Sequence, residues 1–116
     1  GIQVILINNK SYQKYSKSVD FIQKYVFPGG MLPSQEKLNE NYVNAGLIEI
    51  NSHSFGKSYA KTLTIWHKEF LNSLPYIKKL GFDIKLERIF KYYFSYCKAG
   101  FNSERIDVAQ KIIKLS

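Results

Sequence analysis

The strongest constraint on the fold is the apolar run that opens the chain. Residues 2–7 read Ile-Gln-Val-Ile-Leu-Ile, so only Gln3 interrupts the run. A continuous apolar stretch of this length predicts a β-strand covered on both faces, as in a parallel sheet. Such a strand needs neighbouring strands. We therefore expect further strands in this chain and preceding sequence that supplies the rest of the sheet.

The first half of the chain is predicted to continue with two helices and a second strand. Apolar residues at spacings of three and four predict a single helix over 12–26, which Pro28-Gly29-Gly30 brings to an end. Ser34 is a suitable N-cap for the next helix. Residues 47–50 then predict a second strand.

The second half is predicted to hold two helices and a last strand. Apolar spacing predicts a helix over 59–77, which Pro75 should kink or divide, and another over 86–101. The β-branched residues of 106–115 predict a C-terminal strand. This order indicates an α/β fold in one domain, residues 1–116, with too few strands for a complete sheet.

Composition and charge narrow the functional classes. The 116 residues are 45% hydrophobic and 16% aromatic, which is ample for a packed core, and the net charge of +8 favours an acidic partner. Most aromatic residues have the spacing of helix cores and do not alternate with basic residues, which disfavours nucleic-acid binding. No apolar run approaches the roughly 20 residues of a membrane span. A single cysteine favours a cytoplasmic protein.

Few residues suggest independent chemistry. The sequence has no phosphate-binding glycine motif, which argues against nucleotide binding by this chain alone. His53 and His67 have no partner at metal-ligand spacing, so no metal site is predicted. Cys97 lies on an apolar helix face, which favours a small buried side chain over a nucleophile. The aromatic rings either form the core or line an apolar channel for a lipid chain.

Longer stretches of the sequence resemble a known family. Residues 20–34, DFIQKYVFPGGMLPS, resemble the hallmark stretch of the cyclopropane-fatty-acyl-phospholipid synthases and the related mycolic acid cyclopropane synthases. Further pieces follow in the family's order: Phe55-Gly56, Tyr59-Ala60-Lys61-Thr62-Leu63 and Trp66; Tyr92-Tyr93-Phe94 through Cys97 to Phe101; and Ile106-Asp107-Val108 with Gln110. The resemblance covers essentially the whole chain.

The resemblance implies both a fold and a reaction. The fold would be the C-terminal part of a class I S-adenosylmethionine-dependent methyltransferase sheet, which is Rossmann-like, with the last strand antiparallel and a helical insertion on the acyl side. The half that binds S-adenosylmethionine would lie upstream. In the implied reaction, the double bond of an unsaturated phospholipid chain attacks the methyl group, and bicarbonate takes the proton whose loss closes a cyclopropane ring.

The resemblance also implies site residues. Tyr93 matches the tyrosine that hydrogen-bonds bicarbonate, and Ile5 matches a position whose backbone holds the same ion. Gln3 stands where the best-known members of the family have histidine, and since an amide does not titrate, a related lipid methylation is an open alternative. The positions that would line the acyl pocket are Phe27, Tyr59 and Trp66.

Two functional hypotheses follow. In the first, the chain is the acyl-binding part of an enzyme that acts on unsaturated phospholipid at the inner face of an anionic membrane, and this part alone is inactive. In the second, it is a non-catalytic module of the same shape that binds lipid or a membrane surface. In either case, exposed sheet edges would favour self-association into a homo-oligomer.

Overall fold

The computed structural model describes all 116 residues as three strands and five helices. The elements in chain order are β1 (Ile2–Ile7), α1 (Asn9–Ser16), α2 (Phe21–Tyr25), α3 (Gln35–Asn44), β2 (Leu47–Ser54), α4 (Gly56–Lys79), α5 (Ile84–Asn102) and β3 (Ile106–Leu115). None of the five helices is both long enough and apolar enough to cross a membrane. The predicted α/β class is confirmed.

The last strand lies at the centre of the sheet. The strand order is β1-β3-β2, and β3 runs antiparallel to both neighbours. Ile5 lies opposite Val108 on one side, and His53 lies opposite Gln110 on the other. The two outer strands are therefore parallel to each other, and the antiparallel last strand implied by the resemblance is confirmed. Each outer strand has one unpaired edge, while self-association through these edges stays a prediction.

The longest helices pack as a hairpin on one face of the sheet. The core between them and β3 consists of Ala60, Leu63, Phe94, Phe101 and Val108. The 24 residues of α4 correspond to about 36 Å of helix. The molecule is 53 Å long and less than 30 Å wide in the other directions. The hairpin therefore extends well beyond the sheet.

A buried lysine organises the opposite face. The Lys111 side chain is 2% exposed, and its ammonium group lies 3.0 Å from a carboxylate oxygen of Glu49. It also donates hydrogen bonds to Gln35 Oε1 at 2.7 Å and to Ser52 Oγ at 2.9 Å. Side chains three positions apart on a strand point to opposite faces, which separates Lys111 from Val108. With every donor occupied, the buried charge links α3 to β2 and β3.

The start of α4 is capped by a residue from β3. Helix α4 has no side-chain N-cap of its own. Instead, Asp107 Oδ1 accepts hydrogen bonds from the backbone N–H groups of Gly56 at 2.9 Å and Val108 at 2.8 Å. A Cβ atom at Gly56 would lie 2.4 Å from this oxygen, so only glycine fits here. The carboxylate thus accepts a hydrogen bond from a free N–H group at the start of the helix. Its negative charge is also stabilised by the positive end of the helix dipole.

The single helix predicted over 12–26 is wrong, because the segment forms two helices. Asp20 accepts a hydrogen bond from the backbone of Gln23, and the Gln23 side chain accepts one from the backbone of Asp20. This capping box starts a new helix and requires an extended backbone at Asp20, so a single helix cannot run through this residue. The local cap therefore overrides the continuous apolar spacing.

Two other bounds also differ from the sequence prediction. Helix α4 continues undivided through Pro75. The proline removes only one backbone N–H donor, near the end of a helix that packs along α5. Strand β2 continues past Ile50 to Ser54. Its pairing with β3 shifts register between Glu49 and Asn51, and the polar residues beyond the shift were missed because they lack apolar alternation.

We predict that Asp107→Ala lowers the free energy of unfolding by about 1 to 2 kcal/mol, because two backbone donors lose their acceptor. Urea denaturation of the purified protein measures this loss. Asp107→Asn is the matched control, since its amide oxygen can still accept, and it should lose less. An unchanged midpoint for Asp107→Ala would show that the cap does not stabilise α4.

Candidate functional site

The candidate site lies at the edge of the sheet where β1 and β2 end. Because these strands are parallel, their carboxyl ends share one edge, the usual location of ligands in open α/β sheets. The hallmark stretch 20–34 reaches this edge through the backbone hydrogen bond from Ile7 to Pro33, at 3.0 Å. Helix α4 also begins here, because Phe55 hydrogen-bonds Val108 at 2.9 Å.

Three of the predicted site residues pack around one cluster. Ile5, Tyr59 and Tyr93 are partly buried and contact the apolar core between the hairpin and β3. The Tyr93 ring lies edge-on to Phe90, with ring centres 5.9 Å apart, and to Phe94 at 5.6 Å. These three positions come from β1, α4 and α5. The fold therefore brings them to one apolar, aromatic region.

The Tyr93 hydroxyl is a neutral hydrogen-bond donor. Burial, followed by the neighbouring Cys97 thiol one turn along the helix, raises the pKa of Tyr93 to about 12. Burial also raises the pKa of Cys97 to about 11. Both groups are therefore protonated near neutral pH. The thiol is poorly suited to act as a nucleophile, because the thiolate is the reactive form.

The other predicted positions lie farther out. Trp66 is 46% exposed and lies edge-on to Tyr59, with ring centres 5.8 Å apart, so it extends the aromatic region towards solvent. Phe27 is 59% exposed in the loop after α2. Gln3 lies towards the amino end of β1, where its exposed side chain accepts a hydrogen bond from Gln110 at 3.1 Å. Gln3 and Phe27 are therefore not part of the buried cluster.

Sequence reasoning missed the link that fastens the hallmark stretch to α5. Tyr96 donates a hydrogen bond from its hydroxyl to Asp20 Oδ2 at 3.0 Å, while the other Asp20 oxygen caps α2. Phe21 lies edge-on to Tyr92, with ring centres 4.5 Å apart. Burial, and then the hydrogen bond to Asp20, raise the pKa of Tyr96 to about 12. The partners are 76 residues apart in sequence, and no local pattern indicates their pairing.

A second tyrosine, Tyr15 on α1, also holds the same stretch by a hydrogen bond. The Tyr15 hydroxyl, on a side chain only 5% exposed, accepts a hydrogen bond from the backbone of Leu32 at 2.8 Å. Gln23 donates to the backbone carbonyl of Gly30 at 2.8 Å. Burial raises the pKa of Tyr15, which keeps the group neutral. Residues 28–33 are therefore held in place although they contain no helix or strand.

Each of the two histidines stacks on a phenylalanine ring. His67 on α4 stacks on Phe94, with ring centres 5.3 Å apart. His53 on β2 stacks on Phe55 at 5.8 Å. They lie in different elements. No group of three or more metal-ligating side chains comes together in the structure.

Solved structures share this fold. Over 96% of the chain, the structure matches mycolic acid cyclopropane synthase CmaA1, solved with SAH and CTAB, at a TM-score of 0.81 and 23% identity. It matches cyclopropane synthase MmaA2 from Mycobacterium tuberculosis at a TM-score of 0.82 and 20% identity. In each case the match covers 42% of the solved chain. The chain therefore has the fold of part of these cyclopropane synthases.

Sequence comparison then defines the family. The family model of mycolic acid cyclopropane synthetase matches residues 2–111, and the chain belongs to this family. It is 37% identical over 111 residues to tuberculostearic acid methyltransferase UfaA1 of Mycobacterium tuberculosis. It is 30% identical over 110 residues to the cyclopropane-fatty-acyl-phospholipid synthase of Escherichia coli. These matches cover 95% and 94% of the chain but only 26% and 28% of the relatives.

We predict that Tyr96→Phe loosens the hallmark stretch without unfolding the protein, because the hydrogen bond between α5 and Asp20 is lost. Backbone amide exchange in 20–34, measured by hydrogen–deuterium exchange mass spectrometry, should become faster. Tyr92→Phe is the control, since no hydrogen bond of its hydroxyl holds this stretch. Equal exchange in both variants would contradict a positioning role for Tyr96.

We predict that Tyr93 and Tyr96 contribute stability that is lost at alkaline pH. Their folded pKa values of about 12 lie above the ordinary value of 10.0. The unfolded state therefore releases these protons first, and the contribution is complete below pH 10 and declines towards pH 12. Urea midpoints of the wild type and of Tyr93→Phe/Tyr96→Phe measure the effect. The wild type should lose more stability over this range; parallel curves would contradict the prediction.

Proposed function

We propose that the complete protein transfers the methyl group of S-adenosylmethionine to the double bond of an unsaturated phospholipid acyl chain. In this proposal, the present chain supplies the acyl side of the active site. The single observation that carries it is the half-buried, aromatic surrounding of Tyr93 in a chain that belongs to this family. A relative solved with SAH supports the methyl donor, because SAH is what S-adenosylmethionine becomes after methyl transfer.

The aromatic region suits a reaction that passes through a carbocation. S-adenosylmethionine, when bound, supplies an electrophilic methyl group, and none of the residues here is proposed to bind it. Tyr59, Phe90 and Phe94 surround Tyr93 with apolar surface, which excludes water that would capture a cation. Their ring faces can stabilise positive charge. Trp66 continues this lining outward, and Phe27 would contact the acyl chain only where it leaves the protein.

The Tyr93 hydroxyl is proposed to hold a small anion near the reacting carbons. A neutral phenol donates a hydrogen bond and does not repel an anion, and the raised pKa keeps Tyr93 in this form. Bicarbonate at this position would accept the proton released on ring closure. Ile5, on strand β1, is proposed to hold the same anion through its backbone. Gln3 has a weaker claim, because its side chain bonds Gln110 on the exposed part of the sheet.

Two products of the methyl transfer are candidates, a cyclopropane ring and a methyl branch. Loss of a proton from the carbon that came from S-adenosylmethionine gives a cyclopropane ring, and a cyclopropane is the product in the name of the Escherichia coli relative. The more similar relative is called a tuberculostearic acid methyltransferase, which favours a methyl branch as the second candidate product. Both products require the same methyl transfer, and a saturated branch requires in addition a separate hydride donor that reduces the methylated intermediate. Action at the cytoplasmic face of the membrane, where phospholipid is available, belongs to the same proposal.

The experiment is an assay of the complete natural protein with S-adenosylmethionine carrying a deuterated methyl group and vesicles of unsaturated phospholipid. Mass spectrometry of the released fatty acids is expected to show one added carbon. A cyclopropane retains two deuterium atoms of the transferred methyl group, because one is lost as the ring closes. Its ring protons, observed by NMR, distinguish it from a branched acid, which has none. Absence of added label would overturn the proposal.

We predict that Tyr93→Phe reduces turnover at least about a hundredfold, because general base assistance of this kind contributes roughly a factor of 10² or more. Tyr25→Phe is the control, since Tyr25 is 49% exposed on α2 and should leave turnover unchanged. Equal turnover in Tyr93→Phe and wild type would remove the anion-holding role. It would leave the methyl transfer itself intact.

A further inference from the structure

The tip of the α4–α5 hairpin, residues 76–85, exposes an unusual amount of apolar surface. Tyr76 is 66% exposed, Leu80 59%, Phe82 52% and Ile84 56%. These four side chains lie within nine consecutive residues. A scattered exposed leucine needs no explanation, but a rimmed group of large apolar side chains usually marks a contact surface.

Lysines flank this apolar tip. Lys79 and Lys85 are exposed and form no ion pair. Lys78 lies 3.2 Å from Glu87 with its side chain still 57% exposed. The one acidic residue of the tip, Asp83, uses a carboxylate oxygen to cap α5 through the backbone of Leu86. The tip therefore combines apolar side chains with a net positive charge.

The tip also lies far from the sheet. Helix α4 begins at the carboxyl edge of the sheet and runs 24 residues before the turn. Its length of about 36 Å accounts for most of the 53 Å long axis of the molecule. The turn itself is fixed by Gly81, whose φ of +95° favours glycine, and by the Asp83 cap. The exposed side chains thus lie at the end of the hairpin, on a turn of defined backbone conformation.

We propose that this tip docks the protein onto an anionic phospholipid bilayer. Leu80, Phe82 and Ile84 enter the region between headgroups and acyl chains, and Lys79 and Lys85 contact the phosphate groups. Lysine stems can lie along the apolar surface while their charges stay at the headgroups. The inference rests on the proposed function, in which the substrate chain must leave such a bilayer, and it assigns the contact to a surface outside the aromatic region around Tyr93.

The charge pattern decides between a bilayer and other occupants. Another protein segment would have to place acidic side chains opposite Lys79 and Lys85 around an apolar contact, whereas a bilayer of anionic lipid offers phosphate on every side of the inserted side chains. The chain's net charge of +8 acts in the same direction. Binding is therefore expected to require both anionic lipid and the apolar tip.

The test is co-sedimentation of the complete natural protein with vesicles of phosphatidylglycerol and phosphatidylcholine in equal parts. Leu80→Ser/Phe82→Ser should weaken binding by about tenfold or more, since two large apolar side chains are lost. Lys79→Gln/Lys85→Gln should weaken it severalfold and reduce its salt dependence. The matched controls are Val43→Ser, an apolar residue 74% exposed on α3, and Lys10→Gln/Lys17→Gln; both should bind as the wild type.

Several outcomes would overturn the inference. One is binding of both tip variants at wild-type strength; another is equal binding to vesicles of phosphatidylcholine alone. A change of native mass or loss of folding in Leu80→Ser/Phe82→Ser, with unchanged binding by the lysine variant, would show that another protein surface covers the tip.

The failure of this inference is distinguishable from failure of the proposed function. Tip variants should retain methyl transfer to unsaturated lipid dispersed in detergent micelles, where no bilayer is needed. Tyr93→Phe should retain vesicle binding. Vesicle binding that depends on the tip, in a protein without methyl transfer, would preserve the docking surface and reject the enzyme. Methyl transfer without dependence of binding on the tip would do the reverse.

Discussion

The central position of β3 is the constraint on which the rest of the structure depends. It is the only strand that pairs with both others, and its Val108 and Ala109 are almost completely buried. One face of β3 supports the long hairpin, while Lys111 on the other face joins β2 and α3. Asp107, on the same strand, fixes where α4 begins. Strand β3 thus determines how the sheet is paired, where the hairpin packs and where α4 begins at the edge of the candidate site.

The site depends on this arrangement through packing more than through polar networks. Tyr93 lies on α5, Tyr59 on α4 and Ile5 on β1, and they meet only because both helices pack on β3. The hallmark stretch is added by local devices: the capping box at Asp20, the Tyr96 hydrogen bond and the Tyr15 hydroxyl beneath the loop. The Tyr15 and Tyr96 hydrogen bonds fix the position of the stretch against α1 and α5.

Much of the fold could be predicted from the sequence because apolar spacing and caps are local signals. The strand at 2–7, the Ser34 cap and the last strand were confirmed. The break between α1 and α2 was missed because a capping box was outweighed by a continuous apolar face. The roles of Asp107 and Lys111 could not be predicted, since their partners lie 51 to 76 residues away in sequence.

The candidate site was predictable only through resemblance. Composition left the aromatic residues as either core or channel, and Tyr93 packs half-buried against the core. Resemblance places functional residues by their order along the chain, but it does not show which side chains face one another. For that reason Gln3 and Phe27, named with Tyr93 at the sequence level, lie apart from it in the structure.

The position of the acyl chain is tested most directly by photo-crosslinking of the complete protein with a phospholipid that carries a diazirine in place of the acyl double bond. We expect crosslinked peptides from the first half of α4 or the middle of α5, including Tyr59 or Tyr93, and competition by unsaturated phospholipid. Crosslinks confined to residues outside these helices, or unaffected by competing lipid, would contradict the assignment of this chain to the acyl side of the active site.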